Sequence, residues 1–185
     1  AVPPPGDRPR HFHAELLEIF NSRDRIPYAG IQGAWLYNFW QDAEHVRGIW
    51  RRTFLDQYVA PSPVWETILD LDALAAAEGE NWVWKGADGL APDYTRYLIT
   101  LSRGGGDAAV TREFDAIAKA FVEGGFFVPE AKARVAWKDA DTLWIGTDFG
   151  EGSLTSSGYP RLVKEWRRGT ALESARTVFA GAVAD

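Results

Sequence analysis

The sequence predicts an all-β chain: a partial β-propeller of about three four-stranded antiparallel blades, preceded by a short N-terminal helix. Three observations carry this. Aromatic residues make up 14% of the 185 residues, with nine Trp, and such residues favour strands. After the first two dozen residues the chain breaks into short apolar or alternating runs separated by Gly, Pro, Asp and Ser clusters, the pattern of strands and turns. Finally, a group of four strands recurs three times at a spacing of about 45–60 residues, which is the period of propeller blades.

The elements follow in order. Ala1–Arg10 is rich in Pro and charge and reads as a mobile tail. In "HAELLEIFNSRD", Leu16, Leu17, Ile19 and Phe20 share one broad helical stripe that ends at Asn21. Each blade then opens on a leading strand: "IPYAGI", "NWVWKGA" and "ARVAWKD". The second strands are "WLYNFW", "YLITLS" and "LWIGTD"; the third are "GIWRRTFL", "AVTREFDA" and "RLVKEWRR". "VWETILDL", "KAFVEGGF" and "ARTVFAG" close the groups. "DALAAAEGE" is a helical exception, stopped by Gly79. The expected divisions are 1–24 for tail and helix, 25–75 for the first blade, 76–128 for the second and 129–185 for the third. Blades bury both faces against neighbours, so the strands should be apolar and aromatic on both.

Composition narrows the function. The formal net charge of −6 opposes bulk binding to a phosphate backbone, so no nucleic-acid partner is expected. The chain has no Cys, which removes disulfides, thiolate metal sites and a cysteine nucleophile. No apolar run is long enough to span a bilayer, so no membrane partner is expected. The N-terminus lacks the apolar segment of a signal peptide. These features predict a cytoplasmic location, with the periplasm as the alternative. The chain also has no Met, as expected of a processed protein or a piece of a longer one.

Several constellations deserve weighing. "YNFWQDAEHVRGIWRRT" (Tyr37–Thr53) gathers carboxylates, a His and three Arg, but it reads as two strands and a solvated loop, with Trp40 and Trp50 as packing residues. "TLSRG" (Thr100–Gly104) lacks the first Gly and the following helix of a nucleophile elbow, which makes Ser102 a turn residue. His11, His13 and His45 have no context for orienting a serine base or holding a metal. "GGGD" (Gly104–Asp107) lacks the Lys and helix of a phosphate loop and reads as a hairpin turn. "DFG" (Asp148–Gly150) resembles a kinase magnesium loop but stands alone and reads as part of a long turn. The doublets Arg51/Arg52 and Arg167/Arg168, each after a Trp, occupy equivalent strands. Alternation sends one Arg to each face, which points to ion pairs between blades.

"SRDRIPYAG", "WETILDLDALAAAEGENWVWKGA", "LSRGGGDAAVTREFD", "PEAKARVAW" and "GTDFGEGSLTSSGYPRLVKEWRRGT", with the Tyr37–Thr53 stretch, run in order from Ser22 to Thr170. Together they resemble bacterial members of the prolyl oligopeptidase family of serine peptidases. That resemblance implies an N-terminal propeller portion that caps a separate α/β-hydrolase domain and filters short peptides, with cleavage after Pro. It implies no catalytic residue, metal or cofactor in this chain. It also places the start of "PEAKARVAW" on the propeller surface that faces the active site, making Lys132 and Arg134 the candidate substrate-binding residues. The implied partner is a peptide substrate, reached through the hydrolase domain. The alternative is a non-enzymatic β module that binds a peptide or protein; a carbohydrate-binding aromatic domain is a third reading. Three blades alone would leave two bare apolar faces, and self-association through them is expected.

Overall fold

A computed structural model describes residues 8–22 and 24–184; most of the expected tail lies outside them. Helix α1 covers Arg8–Asn21. Its apolar stripe is largely exposed, with Leu17 at 47%, Ile19 at 61% and Phe20 at 62%. Thirteen strands follow among the described residues, forming three antiparallel sheets.

The first sheet orders β1 (Gly30–Gln32), β2 (Trp35–Trp40), β3 (Ile49–Thr53) and β4 (Glu66–Asp70) as neighbours. Alternation sends Tyr37, Trp50 and Leu69 to one face, where the rings of Tyr37 and Trp50 stack at 4.9 Å. Arg52 is also on that face and only 5% exposed. Its Nε donates to Glu66 at 2.7 Å and its guanidinium lies 4.0 Å from the Trp35 ring centre. The expected partner across blades is therefore a carboxylate on the adjacent strand instead. A short helix, α2 (Leu55–Tyr58), fills part of the β3–β4 connection; four residues are too few for a visible helical period.

The β2–β3 loop is built by two carboxylates. Asp42 accepts from the backbone N–H groups of Glu44 and His45, from His45 Nδ1 and from Trp40 Nε1, all within 2.8–3.0 Å. Burial alone pushes Asp42 up, but these donors outweigh it and hold its carboxyl well below the usual carboxylate range. Asp72 accepts from the N–H groups of Arg47 and Gly48. Gly48 has φ +105°, and a Cβ there would fall 2.4 Å from the Phe39 ring, so only Gly closes the turn. The carboxylates and His of this stretch are thus turn architecture.

Helix α3 (Leu71–Glu78) ends at Gly79, whose φ is +66°. The second sheet orders β5 (Trp82–Gly89), β6 (Arg96–Arg103), β7 (Ala109–Asp115) and β8 (Ala120–Phe121). The expected closing strand Lys119–Phe126 is broken. Only β8 pairs there, and β9 (Phe127–Ala131) takes up the rest of β7. A tight turn breaks the strand: the Gly125 N–H donates to Val122 O at 3.1 Å with Gly124 at φ +66°, and the Phe126 N–H goes to the Glu113 carboxylate at 2.9 Å. The third sheet orders β10 (Arg134–Asp139), β11 (Thr142–Gly146), β12 (Leu162–Arg167) and β13 (Arg176–Ala180).

Leu98, Phe126, Val128, Leu143, Ile145 and Trp166 form one core between the second and third sheets. Glu113, 2% exposed, receives Arg168 at 2.6 and 3.1 Å, which is the ion pair between sheets expected of an Arg doublet. The Arg168 guanidinium also lies 4.5 Å from the Phe126 ring centre. On the far face of the third sheet, Lys138 and Arg176 both donate to Glu165, and Lys138 sits over Trp144. That face is mixed rather than apolar, contrary to expectation. Of the tryptophans, Trp50, Trp82 and Trp166 are buried, while Trp84, Trp137 and Trp144 are half-buried.

Two expected outcomes follow from these contacts. Glu113→Ala should cost about 2–3 kcal/mol, because it removes the buried partner of Arg168, leaving it only Asp141 and Ala140 O, and takes the acceptor from the Phe126 N–H; urea melts check this, and a loss under about 1 kcal/mol would show the pair to be incidental. Asp42→Asn should cost about 1–2 kcal/mol at neutral pH. A carboxyl held low stabilises the fold above its unfolded pKa and loses that contribution as pH falls through the folded value. The gap between wild type and Asp42→Asn should therefore shrink below about pH 4. A gap that does not change with pH would assign the effect to shape rather than charge.

Candidate functional site

Lys132 and Arg134 stand at the junction of the second and third sheets. The run Pro129–Trp137 reads as one leading strand in the sequence, but it is divided. Pro129–Ala131 belongs to β9 in the second sheet, while Arg134–Trp137 belongs to β10 in the third. Lys132 and Ala133 are the two-residue link, so both candidates are placed where the chain crosses from one sheet to the next.

They line one open cleft of about 370 Å³. Thr100 of β6 and Thr111 of β7 share a 3.0 Å hydrogen bond within it. Lys85 of β5, Asp107 of the β6–β7 turn and Tyr159 of the β11–β12 connection complete the polar lining. Asp107 stands in the sequence only as the end of the "GGGD" turn, and Lys85 and Tyr159 are not candidates there. Lys85 had a signal, as the only charge in the apolar run "NWVWKGA". Tyr159 had none beyond its place in a Gly- and Ser-rich loop.

Electrostatically the cleft departs from the chain. Three cations and one carboxylate line it, within a protein of formal charge −6. Lys132 Nζ lies 3.9 Å from Asp107, which is 74% exposed, and 4.5 Å from the Tyr159 ring centre. Lys85 Nζ donates to Gly105 O at 3.2 Å. Arg134 is exposed and makes no hydrogen bond or ion pair among the described residues. An exposed ion pair near 4 Å is weak, so Lys132 can exchange Asp107 for another oxyanion at little cost. The arrangement can hold a carboxylate through charge-assisted hydrogen bonds.

The remaining candidates are structural. Ser102, expected at a turn, instead lies in β6 just before it; it is fully buried, and its Oγ has no hydrogen-bond partner among the described residues. His11 pairs with Glu15 at 3.0 Å and His45 with Asp42 at 3.0 Å. Among the described residues no group of three or more acidic or His side chains could hold a metal. In "DFG", Asp148 accepts from Gly150 N and Ser153 Oγ, closing a turn. No helix among the described residues is long and apolar enough to cross a membrane.

Comparison with known proteins agrees with this architecture. A peptidase of Sinorhizobium fredii, itself uncharacterized, is 43% identical over 171 residues, covering 92% of this chain and 24% of the relative. One from Rickettsia prowazekii is 33% identical over 173 residues, with 89% and 24% covered. The solved structure of a post-proline cleaving enzyme from Rickettsia typhi superposes with a TM-score of 0.87 at 32% identity, over 94% of this chain and 26% of that one. Oligopeptidase B from Leishmania major shares the fold at a TM-score of 0.64 and 14% identity, covering 94% of this chain and 24% of its own. The chain thus spans about a quarter of the length of the relatives it matches. Residues 10–185 match the family described as prolyl oligopeptidase, N-terminal beta-propeller domain. The three antiparallel sheets are propeller blades, and the chain belongs to the N-terminal β-propeller family of prolyl oligopeptidases.

Proposed function

We propose that this chain serves as the propeller portion of a cytoplasmic serine peptidase that cleaves short peptides after proline. In this reading the propeller caps the hydrolase site, and the cleft at the junction of the second and third sheets selects among substrates. The observation that carries the reading is that Lys132, Arg134 and Lys85 line one cleft in an otherwise acidic peptidase-family chain. The 32% identity to a post-proline cleaving enzyme supports the bond that is cut. Hydrolytic chemistry itself belongs to the portion of the relatives that this chain does not span. Lys132 and Arg134 act on binding: they hold a substrate's acidic side chain or free C-terminal carboxylate, while Asp107 occupies Lys132 when no substrate is present.

The test is kinetic, in the full-length peptidase. Lys132→Glu with Arg134→Glu should raise KM about tenfold for proline peptides with an acidic or free C-terminal end, the loss expected of a charge-assisted contact. Neutral, blocked peptides should be almost unaffected, and kcat should hold for both. Equal effects on both classes would mean the substitutions damage folding, and the selection role would be wrong.

The 185-residue chain is also proposed to self-associate through its uncovered sheet faces. All five residues of β13 are exposed, including Phe179 at 61% and Val178 at 39%. Pairing of such surfaces removes apolar area from water. Light scattering at micromolar concentration should return a mass above the monomer. A monomer mass together with a cooperative melt would reject this.

A further inference from the structure

The first sheet carries a second, separate cleft of about 570 Å³. At its centre the Arg51 guanidinium lies 4.4 Å from the ring centres of both Trp40 and Trp65. Its Nε donates to Asn38 Oδ1 at 2.9 Å, and Asn38 Nδ2 in turn donates to Tyr28 O at 2.8 Å. The orientation of the fork is thus fixed by two indoles and an anchored amide. Its two terminal nitrogens have no hydrogen-bond partner among the described residues. Burial pushes the guanidinium down to about 10, opposed by Asp42 and reinforced by Arg25.

The neighbouring charges do not use these donors. Asp42 lines the cleft, but its oxygens are taken by Trp40, Glu44 and His45, and it makes no ion pair with Arg51. Asp24 is exposed at the cleft and pairs with neither arginine. Arg25 stacks on Trp40 at 4.4 Å and spends its Nε on Ser22 O and one terminal nitrogen on Gln41 O. The adjacent Arg52 makes the contrast plain, since it has Glu66 at 2.7 Å. A half-buried guanidinium, rigidly aimed and with no carboxylate on its terminal nitrogens, is a preformed receptor for one.

We propose that this cleft binds a peptide through an acidic side chain, whose carboxylate takes the two terminal nitrogens of Arg51 as a bidentate pair. The apolar residues flanking that acid pack on Tyr58, Pro63 and Trp65, which form the adjoining wall. The occupant is a separate peptide, because the Arg fork matches a planar carboxylate and the walls match apolar side chains. This site is independent of the one at Lys132 and Arg134.

Calorimetric titration of the 185-residue chain with acetyl-Leu-Glu-Leu-amide and its Gln counterpart tests this. The Glu peptide should bind at least about tenfold more tightly. Arg51→Gln should abolish that preference and Arg51→Lys should remove most of it, while Arg134→Gln should leave it intact. Should the Arg51 variants lose their cooperative melt, Arg25→Gln decides, with an expected loss of about threefold from the weakened field. Four results would each overturn the proposal: no binding of either peptide, equal affinity for both, a preference that survives in folded Arg51→Gln, or unchanged affinity in Arg25→Gln. Inorganic phosphate binding as tightly as the Glu peptide would overturn it too, since no peptide would then be read.

Discussion

The bidentate pair between Glu113 and Arg168 is the contact around which the second and third sheets are organised. Glu113 sits in β7 with 2% of its surface exposed, and Arg168 follows β12. A buried carboxylate is costly unless every lone pair is used. Here two oxygens take the guanidinium fork and the Phe126 N–H. Arg168 spends its other donors on Asp141 and Ala140 O, so the β10–β11 turn is drawn into the same network. Glu113 first, and Asp141 with it, hold the Arg168 guanidinium above its ordinary range. The apolar core of Leu98, Val128, Leu143 and Ile145 closes beside this network.

That arrangement also shapes the candidate substrate cleft. The Val122–Gly125 turn ends β8, the Glu113 carboxylate takes the Phe126 N–H just beyond it, and β9 rejoins β7 further along. The sheet crossing then falls at Lys132 and Ala133, and Arg134 opens the third sheet at the same junction. The crossing leaves Lys132 half-buried and Arg134 exposed, both within reach of solvent. Their exposure matters for the proposed role. A cation locked to a buried carboxylate has no donors to offer, whereas Lys132 is held only by a long pair with an exposed Asp107.

Much of this was legible in the sequence. Apolar runs such as "WLYNFW" and "YLITLS" lie inside the strands they predict, and good helix formers before Gly79 mark α3. The broken closing strand was legible only in part: the Gly-Gly of "KAFVEGGF" supplies the turn that ends β8, whereas the Glu113 carboxylate that takes the Phe126 N–H lies on another strand. The length of α1 was not legible: "RPRH" holds a Pro within the first turn, which reads as tail although Pro is tolerated there. At the cleft, Lys132 and Arg134 stood out through family resemblance, and Lys85 carried a local signal. Tyr159 and Asp107 reach the cleft from two different connections, a convergence that no spacing along the chain encodes.

The two Arg doublets show why equal sequence patterns take unequal roles. Alternation does separate the members of the first doublet, with Arg52 against Trp35 on one face and Arg51 against Trp40 and Trp65 on the other. The carboxylate each finds depends on which acids the neighbouring strands present. Glu66 on β4 reaches Arg52 within the sheet, and Glu113 on β7 reaches Arg168 from the next sheet. Arg167 remains exposed on its strand. Arg51 receives aromatic faces and an amide instead of an acid, and these steady its fork while leaving the fork's outer donors open. A charge satisfied by an acid is structural; one oriented by π faces and left without an acid is available to a ligand. The partner set, rather than the repeated Trp-Arg-Arg pattern, separates the scaffold arginines from the one that can read a carboxylate.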